Sequence, residues 1–62
     1  MDGKKIKEIR YKLFMTQSKF GKAIGVSKNT VSDWENNVIG VSLRNQEKIY
    51  NLCKERNIDW DN

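Results

Sequence analysis

The side chains best suited to chemistry in this chain lie near its middle, in the sequence KNTVSDWEN at residues 28–36. If this run is helical, Val31 and Trp34 fall on one face, and the other positions carry small polar or charged groups. Such groups donate and accept hydrogen bonds. The segment is therefore suited to recognising the hydrogen-bonding pattern of another molecule.

A catalytic or metal site is hard to build from the remaining residues. The chain has no histidine, and Cys53 is its only cysteine, so neither an internal disulfide nor an ordinary zinc site can form. A lone cysteine is either a nucleophile or a small core residue, and without a histidine base the core position is favoured. We expect no enzyme activity, no metal, no cofactor and no small-molecule ligand.

Positive charge is concentrated in the first half of the chain. Residues 1–28 contain eight lysines and arginines against two acidic residues, a net charge of +6, whereas residues 29–62 contain four against six, a net charge of −2. A basic half of this kind suits a polyanionic partner, although a solvated lysine-rich face gives the same pattern. Charge alone does not separate these two interpretations.

Apolar residues recur at helical spacing and proline is absent, which together predict an all-α chain. Its length is that of a single domain, residues 1–62. Four helices are predicted, at roughly residues 4–14, 17–24, 28–36 and 43–56, with Thr16, Ser27 and Ser42 as N-terminal caps. The loop at residues 38–41 is expected to bury Ile39 in part. The expected inward-facing residues of the helices are Ile6, Ile9, Leu13, Phe14, Phe20, Ala23, Ile24, Val31, Trp34, Leu43, Ile49, Leu52 and Cys53.

Two glycines indicate a sharp corner between the second and third helices. Gly21 lies inside a helix, where glycine costs about 1 kcal/mol relative to alanine, so we infer that the third helix packs too close there for a side chain. Gly25 can end the second helix in the left-handed conformation. Only Val26 separates it from the next cap, Ser27. A tight corner with a polar outer helix has the shape that fits the major groove of DNA.

Three short motifs occur around this corner in one register: TQ at residues 16–17, GVS at 25–27 and VSDWE at 31–35. Together they resemble the Cro/repressor-type, Xre-like family of helix-turn-helix DNA-binding domains, and the similarity covers nearly the whole chain. The resemblance implies a compact, lambda-repressor-like bundle of four to five helices. It also implies that the third helix is the recognition helix.

In that family the first residues of the recognition helix read base edges in the major groove. The resemblance assigns this role to Lys28, Asn29, Ser32 and Asp33. Lys28 can donate to guanine O6 and N7, and Asn29 can pair with adenine N6 and N7. Asp33 can accept from a cytosine amino group, but nearby phosphates would repel its carboxylate, so its part in base reading stays open.

The resemblance also implies contacts to the phosphate backbone from four residues, Gln17, Ser27, Asn36 and Arg44. Gln17 stands at the start of the second helix, where the helix dipole favours an anion. For Gln17 and Ser27, ordinary helix capping explains the residue type equally well. Arg10 and Glu35 are expected, again by resemblance, to form a structural ion pair between the first helix and the end of the third.

We therefore expect a sequence-specific regulator of transcription that binds double-stranded DNA, of the phage or mobile-element repressor type. Two copies are expected on a two-fold operator, as a homodimer at least on DNA, with residues 38–41, Ile58 and Trp60 as the candidate contact. No apolar run is long enough for a membrane span, so we expect a cytoplasmic, nucleoid-associated protein with no membrane partner. The alternative is an antitoxin- or adaptor-like protein-interaction module that keeps the fold without specific DNA readout.

Overall fold

Each helix of the protein begins after a side chain that caps it. In the computed structural model, which describes residues 1–59, the residue before each helix accepts a hydrogen bond from the backbone N–H three positions later. These N-caps are Asp2, Thr16, Ser27 and Ser42. The last three confirm the caps predicted from sequence, and Asp2 adds one that the sequence analysis did not assign. A cap of this kind stabilises a helix by about 1 kcal/mol.

The four helices are α1 (Gly3–Lys12), α2 (Gln17–Ile24), α3 (Lys28–Glu35) and α4 (Leu43–Glu55). α2 packs against α3, α1 packs against α3, and α4 packs against α2. The predicted all-α bundle is therefore confirmed, with four helices in residues 1–59. No helix in residues 1–59 has the length and apolar character needed to cross a membrane.

All four helices end with a residue in the left-handed conformation. After each of these residues, the next backbone N–H returns to a carbonyl five positions earlier, as the Met15 N–H does to the Arg10 carbonyl. This is the Schellman arrangement, which satisfies carbonyls at the end of a helix. The left-handed residues are Phe14, Gly25, Asn37 and Asn57, with φ of 56°, 94°, 59° and 56°. Glycine and asparagine are the residue types that favour this conformation, and phenylalanine is not.

The prediction that Phe14 belongs to the inner face of the first helix is wrong. α1 ends at Lys12, and Phe14 is 95% exposed. A left-handed residue turns the chain away from the helix, so its side chain no longer follows the helical spacing on which the prediction rested. Leu13, one position earlier, remains buried.

The core lies where the four helices meet. Cys53 is fully buried in it, and burial raises the pKa of its thiol, which confirms the core position predicted for this residue. Ile39 is 46% exposed and lies outside the core, whereas Val41 packs against it. The buried apolar residues are Ile6, Ile9, Leu13, Phe20, Ile24, Val31, Trp34, Ile49 and Cys53.

Two further residues predicted to face inward, Ala23 and Leu43, are exposed. The buried position of Gly21 shows that the inner face of α2 is turned toward α3, which moves Ala23 onto the solvent side. Leu43 lies about 120° around α4 from Ile49 at 3.6 residues per turn. Its side chain therefore leaves the core and is 83% exposed.

Glycine allows close backbone contact at both ends of α3. A Cβ at Gly21 would lie 2.7 Å from the carbonyl oxygen of Val26, in the turn that leads into α3, so this glycine has a packing reason, as predicted. At the other end, a Cβ at Gly3 would collide with the backbone carbonyl of Glu35. The Gly3 N–H also donates to Asn37 Oδ1 at 2.9 Å. This role of Gly3 was not predicted from the sequence.

We expect Gly21→Ala to lower the free energy of unfolding by about 1–3 kcal/mol, because the added methyl group overpacks the contact between α2 and the turn that leads into α3. The higher helix propensity of alanine offsets only about 1 kcal/mol of that cost. Urea unfolding followed by circular dichroism measures the change. Gly40→Ala is the matched control, since nothing lies within 4 Å of a Cβ at that position. Equal midpoints for Gly21→Ala and the unsubstituted protein would contradict the close packing.

Candidate nucleic-acid interface

The outer face of α3 carries the four residues expected to read bases. Val31 and Trp34 are 0% and 2% exposed, and they fix which side of this short helix points into the core. Two turns of helix hold all four polar residues on the other side, within an arc of about 140° at 3.6 residues per turn. They are Lys28 and Asn29, both exposed, and Ser32 and Asp33, both half-buried.

Three of these side chains keep their hydrogen-bonding atoms available. Within residues 1–59, no hydrogen bond or ion pair engages the side chain of Lys28, Asn29 or Asp33. The amide of Asn29 and the ammonium of Lys28 therefore need not break an internal bond before they bind another molecule. The negative charge of Asp33 stands on the same face without a compensating cation among the described residues.

Ser32 and Asn36 are joined to each other. The Asn36 Nδ2 donates to the Ser32 carbonyl at 2.9 Å and approaches the Ser32 Oγ at 3.3 Å. A phosphate accepts hydrogen bonds but does not donate them, so a phosphate contact from Asn36 would use an amide N–H and would compete with these bonds to Ser32. Ser32 keeps its own hydroxyl hydrogen for an external acceptor.

The Ser27 hydroxyl has a capping role and a second hydrogen bond. Its Oγ accepts from the backbone N–H of Thr30 at 3.1 Å and lies 3.0 Å from the Thr30 Oγ1. Only one of these two hydroxyls donates to the other. The remaining hydroxyl hydrogen is available at the exposed start of α3, where the helix dipole favours an anion.

A buried ion pair joins α1 to the end of α3. The Arg10 Nε donates to Glu35 Oε2 at 2.7 Å, and the Arg10 Nη2 donates to Glu35 Oε1 at 3.1 Å. The third nitrogen of the Arg10 guanidinium, Nη1, donates to the carbonyl oxygen of Met15 at 3.1 Å, in the turn before α2. Arg10 is only 9% exposed. A two-pronged pair of this kind fixes orientation as well as distance.

The same carboxylate holds Gln17, the first residue of α2. The Gln17 Nε2 donates to Glu35 Oε1 at 3.2 Å. One N–H of the amide is therefore committed to Glu35, and the second remains for another acceptor. This link was not predicted from the sequence, because the family resemblance relates Gln17 to phosphate and Glu35 to Arg10 without connecting the two.

The ionisation of Glu35 follows from these contacts. Burial alone would raise the pKa of this carboxyl, but the hydrogen bonds from Arg10 and Gln17 and the positive charges of Arg10 and Lys7 outweigh it and lower the pKa. The hydrogen bond to Glu35 raises the pKa of Arg10 in turn, against the effect of its own burial. Both groups are therefore charged at neutral pH.

Arg44 lies apart from this network, at the second residue of α4. It is exposed, and no hydrogen bond or ion pair engages it within the described part of the chain. The structure thus brings Gln17 next to Arg10 and Glu35, and it keeps the base-reading candidates together on α3. Arg44 has no contact with either group among the hydrogen bonds of residues 1–59.

Comparison with known proteins gives two matches. A family model described as "Helix-turn-helix" matches residues 6–60. The chain is also 35% identical over 60 residues to a curated protein of Streptococcus pneumoniae serotype 4 (strain ATCC BAA-334 / TIGR4), antitoxin PezA. That match covers 97% of this chain but 36% of the relative, so the chain spans about a third of the length of that protein. No solved structure gives a significant match.

We expect the Glu35 carboxylate to make stability depend on pH. Because its pKa is lowered on folding, its contribution is fully present above the unfolded-state pKa, 4.5, and is lost as pH falls through the folded-state pKa. Glu35→Gln should therefore be less stable than the unsubstituted protein at pH 7. The difference should shrink as both are acidified toward pH ~2. Urea unfolding at several pH values measures it, and a difference independent of pH would contradict the assignment.

Proposed function

Because the chain belongs to the Cro/repressor-type, Xre-like family of helix-turn-helix DNA-binding domains, we propose that it is a sequence-specific regulator of transcription. The family is non-enzymatic. The proposed unit is one domain of residues 1–62 that places α3 in the major groove of double-stranded DNA. The observation that carries this proposal is the polar outer face of α3, whose side chains are largely free while Val31 and Trp34 anchor the helix from beneath.

The proposed base contacts follow from the chemistry of that face. Asn29 can donate to N7 and accept from N6 of an adenine, and Lys28 can donate to O6 and N7 of a guanine. Ser32 has a hydroxyl hydrogen that it can donate to an acceptor atom of either base. Asp33 can accept from a cytosine amino group, and it also discourages a wrongly placed phosphate. An acidic group at this position therefore favours specificity over affinity.

The proposed phosphate contacts surround that face. Gln17 offers its second amide N–H at the start of α2. The paired hydroxyls of Ser27 and Thr30 offer one hydrogen at the start of α3. Asn36 contributes an amide N–H in competition with its bonds to Ser32, and Arg44 contributes a full positive charge from α4. Contacts of this kind set the register of a protein on the duplex and carry no base sequence by themselves.

We further propose that two copies bind one two-fold operator as a repressor of the phage or mobile-element type. A single domain of this size makes few base contacts, and pairing doubles them. An exposed aliphatic patch of Val38, Ile39 and Leu43, which are 67%, 46% and 83% exposed, supports contact between copies. Ile58 is half-buried against the core, and Trp60, the other residue expected at this contact, lies outside the described residues.

A second candidate function is a protein-interaction module. It is favoured by the similarity to a protein named as an antitoxin and by the same aliphatic patch, which suits a protein partner as well as a second copy. In that case the polar face of α3 has no specific DNA site to read. The two candidates differ in how binding to duplex DNA responds to salt.

Selection from random duplexes, followed by a salt titration on the recovered site, tests the proposal. We expect a preferred motif with two half-sites about one helical turn apart. The affinity should fall steeply with salt, with a log–log slope of about −0.9 for each phosphate neutralised. No enriched motif together with a flat slope would overturn the DNA-reading proposal and favour the protein-interaction module.

We expect Asn29→Ala to cost about 1–3 kcal/mol on the preferred duplex and to relax the preference at one base pair. Asn51→Ala is the matched control, because Asn51 is an exposed asparagine on α4. Binding-site selection with both variants measures the effect. Identical motifs for Asn29→Ala and the unsubstituted protein would show that Asn29 does not read a base.

Arg44→Ala should weaken binding to all duplexes by nearly the same factor, because a phosphate contact carries no sequence information. Arg56→Ala, which removes another exposed arginine of the acidic half of the chain, serves as the control. Fluorescence anisotropy on the preferred duplex and on an unrelated one measures both variants. A loss confined to the preferred duplex would contradict the phosphate assignment of Arg44.

A further inference from the structure

A second cation lies beside the network of Gln17, Glu35 and Arg10. Lys7 is an exposed residue of α1, and its Nζ lies 5.8 Å from the centroid of the Tyr11 ring, one turn further along the helix. The Arg10 guanidinium carbon lies 4.8 Å from the centroid of the same ring. Tyr11 is 59% exposed, so its ring contacts both cations at the surface of α1.

The two cations differ in how much charge they offer to a phosphate. Arg10 is neutralised by the carboxylate of Glu35 through two hydrogen bonds and is 9% exposed. Lys7 is exposed and makes no ion pair within residues 1–59. Its charge is nevertheless felt at Glu35, where it contributes to the lowered pKa of that carboxyl. Lys7 therefore carries a positive charge that no ion pair of the described residues neutralises, beside the network that holds Gln17 at the start of α2.

We infer that Lys7 contacts a DNA phosphate and extends the binding surface from the start of α2 onto α1. This inference rests on the proposed function, since it needs a duplex bound with Gln17 at a phosphate. The proposal places the Lys7 ammonium on the phosphate held by the free N–H of Gln17 or on its neighbour on the same strand. The ring of Tyr11 restrains the long side chain, which lowers the conformational entropy lost when the ammonium binds.

This role distinguishes Lys7 from a lysine that only adds solubility. An ammonium that binds a phosphate displaces a condensed counterion, and the displaced ion appears as a change in the salt dependence of binding. Arg10 produces no such change, because its charge is already balanced inside the protein. Of these two cations on α1, Lys7 is therefore the one that contributes a released counterion.

The test compares Lys7→Gln with Lys54→Gln. Lys54 is the matched control, since its Nζ lies 5.9 Å from the ring centroid of Tyr50, also four residues away on one helix, but in the acidic half of the chain. Affinity for the selected duplex is measured by anisotropy at several salt concentrations. Lys7→Gln should reduce the magnitude of the log–log slope by about 0.9 and weaken the selected and an unrelated duplex by the same factor. Lys54→Gln should match the unsubstituted protein.

Lys7→Arg provides a further check, because it retains the charge and should restore the slope. A steep slope for the unsubstituted protein that Lys7→Gln leaves unchanged would overturn the assignment of Lys7 while leaving the proposed function intact. A flat slope for the unsubstituted protein would overturn the proposed function, and this inference with it. Thermal unfolding of Lys7→Gln, compared with Lys54→Gln, shows whether either substitution affects the fold.

Discussion

The buried pair of Arg10 and Glu35 is the interaction on which the rest of the structure depends. Arg10 connects α1 to the end of α3 and to the turn before α2, and Glu35 adds the first residue of α2 through Gln17. Loss of either partner would leave a charge buried without its counterpart, which typically costs about 3–5 kcal/mol. In a chain this short, with a small core and no disulfide, that is a large part of the total stability. One guanidinium and one carboxylate therefore link three helices.

Much of the fold could be predicted from sequence because the local signals agree with one another. Ser27 is a hydroxyl residue directly before an amphipathic run, and Gly25 is a glycine directly after one, so the helix boundary between them needs no tertiary information. Phe14 could not be placed in this way. Its helical spacing predicts an inward side chain, but the Schellman end of α1 requires a left-handed residue there. Whether a helix continues or turns at such a position depends on the packing of the next helix.

In the candidate site, too, some features could be predicted from the sequence and others could not. The polar face of α3 follows from the positions of Val31 and Trp34, because two buried residues three apart fix the orientation of a short helix. The hydrogen bond from Asn36 to Ser32 and that from Gln17 to Glu35 could not be predicted, since they depend on rotamers chosen among several acceptors. These two bonds decide which amide groups are free for a partner. Residue type and spacing thus indicate which groups take part in recognition, and the three-dimensional contacts determine which of them are ready to do so.

The contact at Gly3 has a consequence for how such a domain adapts to different operators. The start of α1 presses directly on backbone at the end of α3, and the Gly3 N–H bonds to Asn37 just beyond that helix. A shift of α3 must therefore carry α1 with it, and in the proposed complex with DNA we expect the two helices to dock together. Little protein entropy is lost when they do so, but little adjustment is possible either. When a target differs slightly in groove width or twist, we expect the nucleic acid to deform rather than the protein. The stiffness of the base steps then influences which sites are bound.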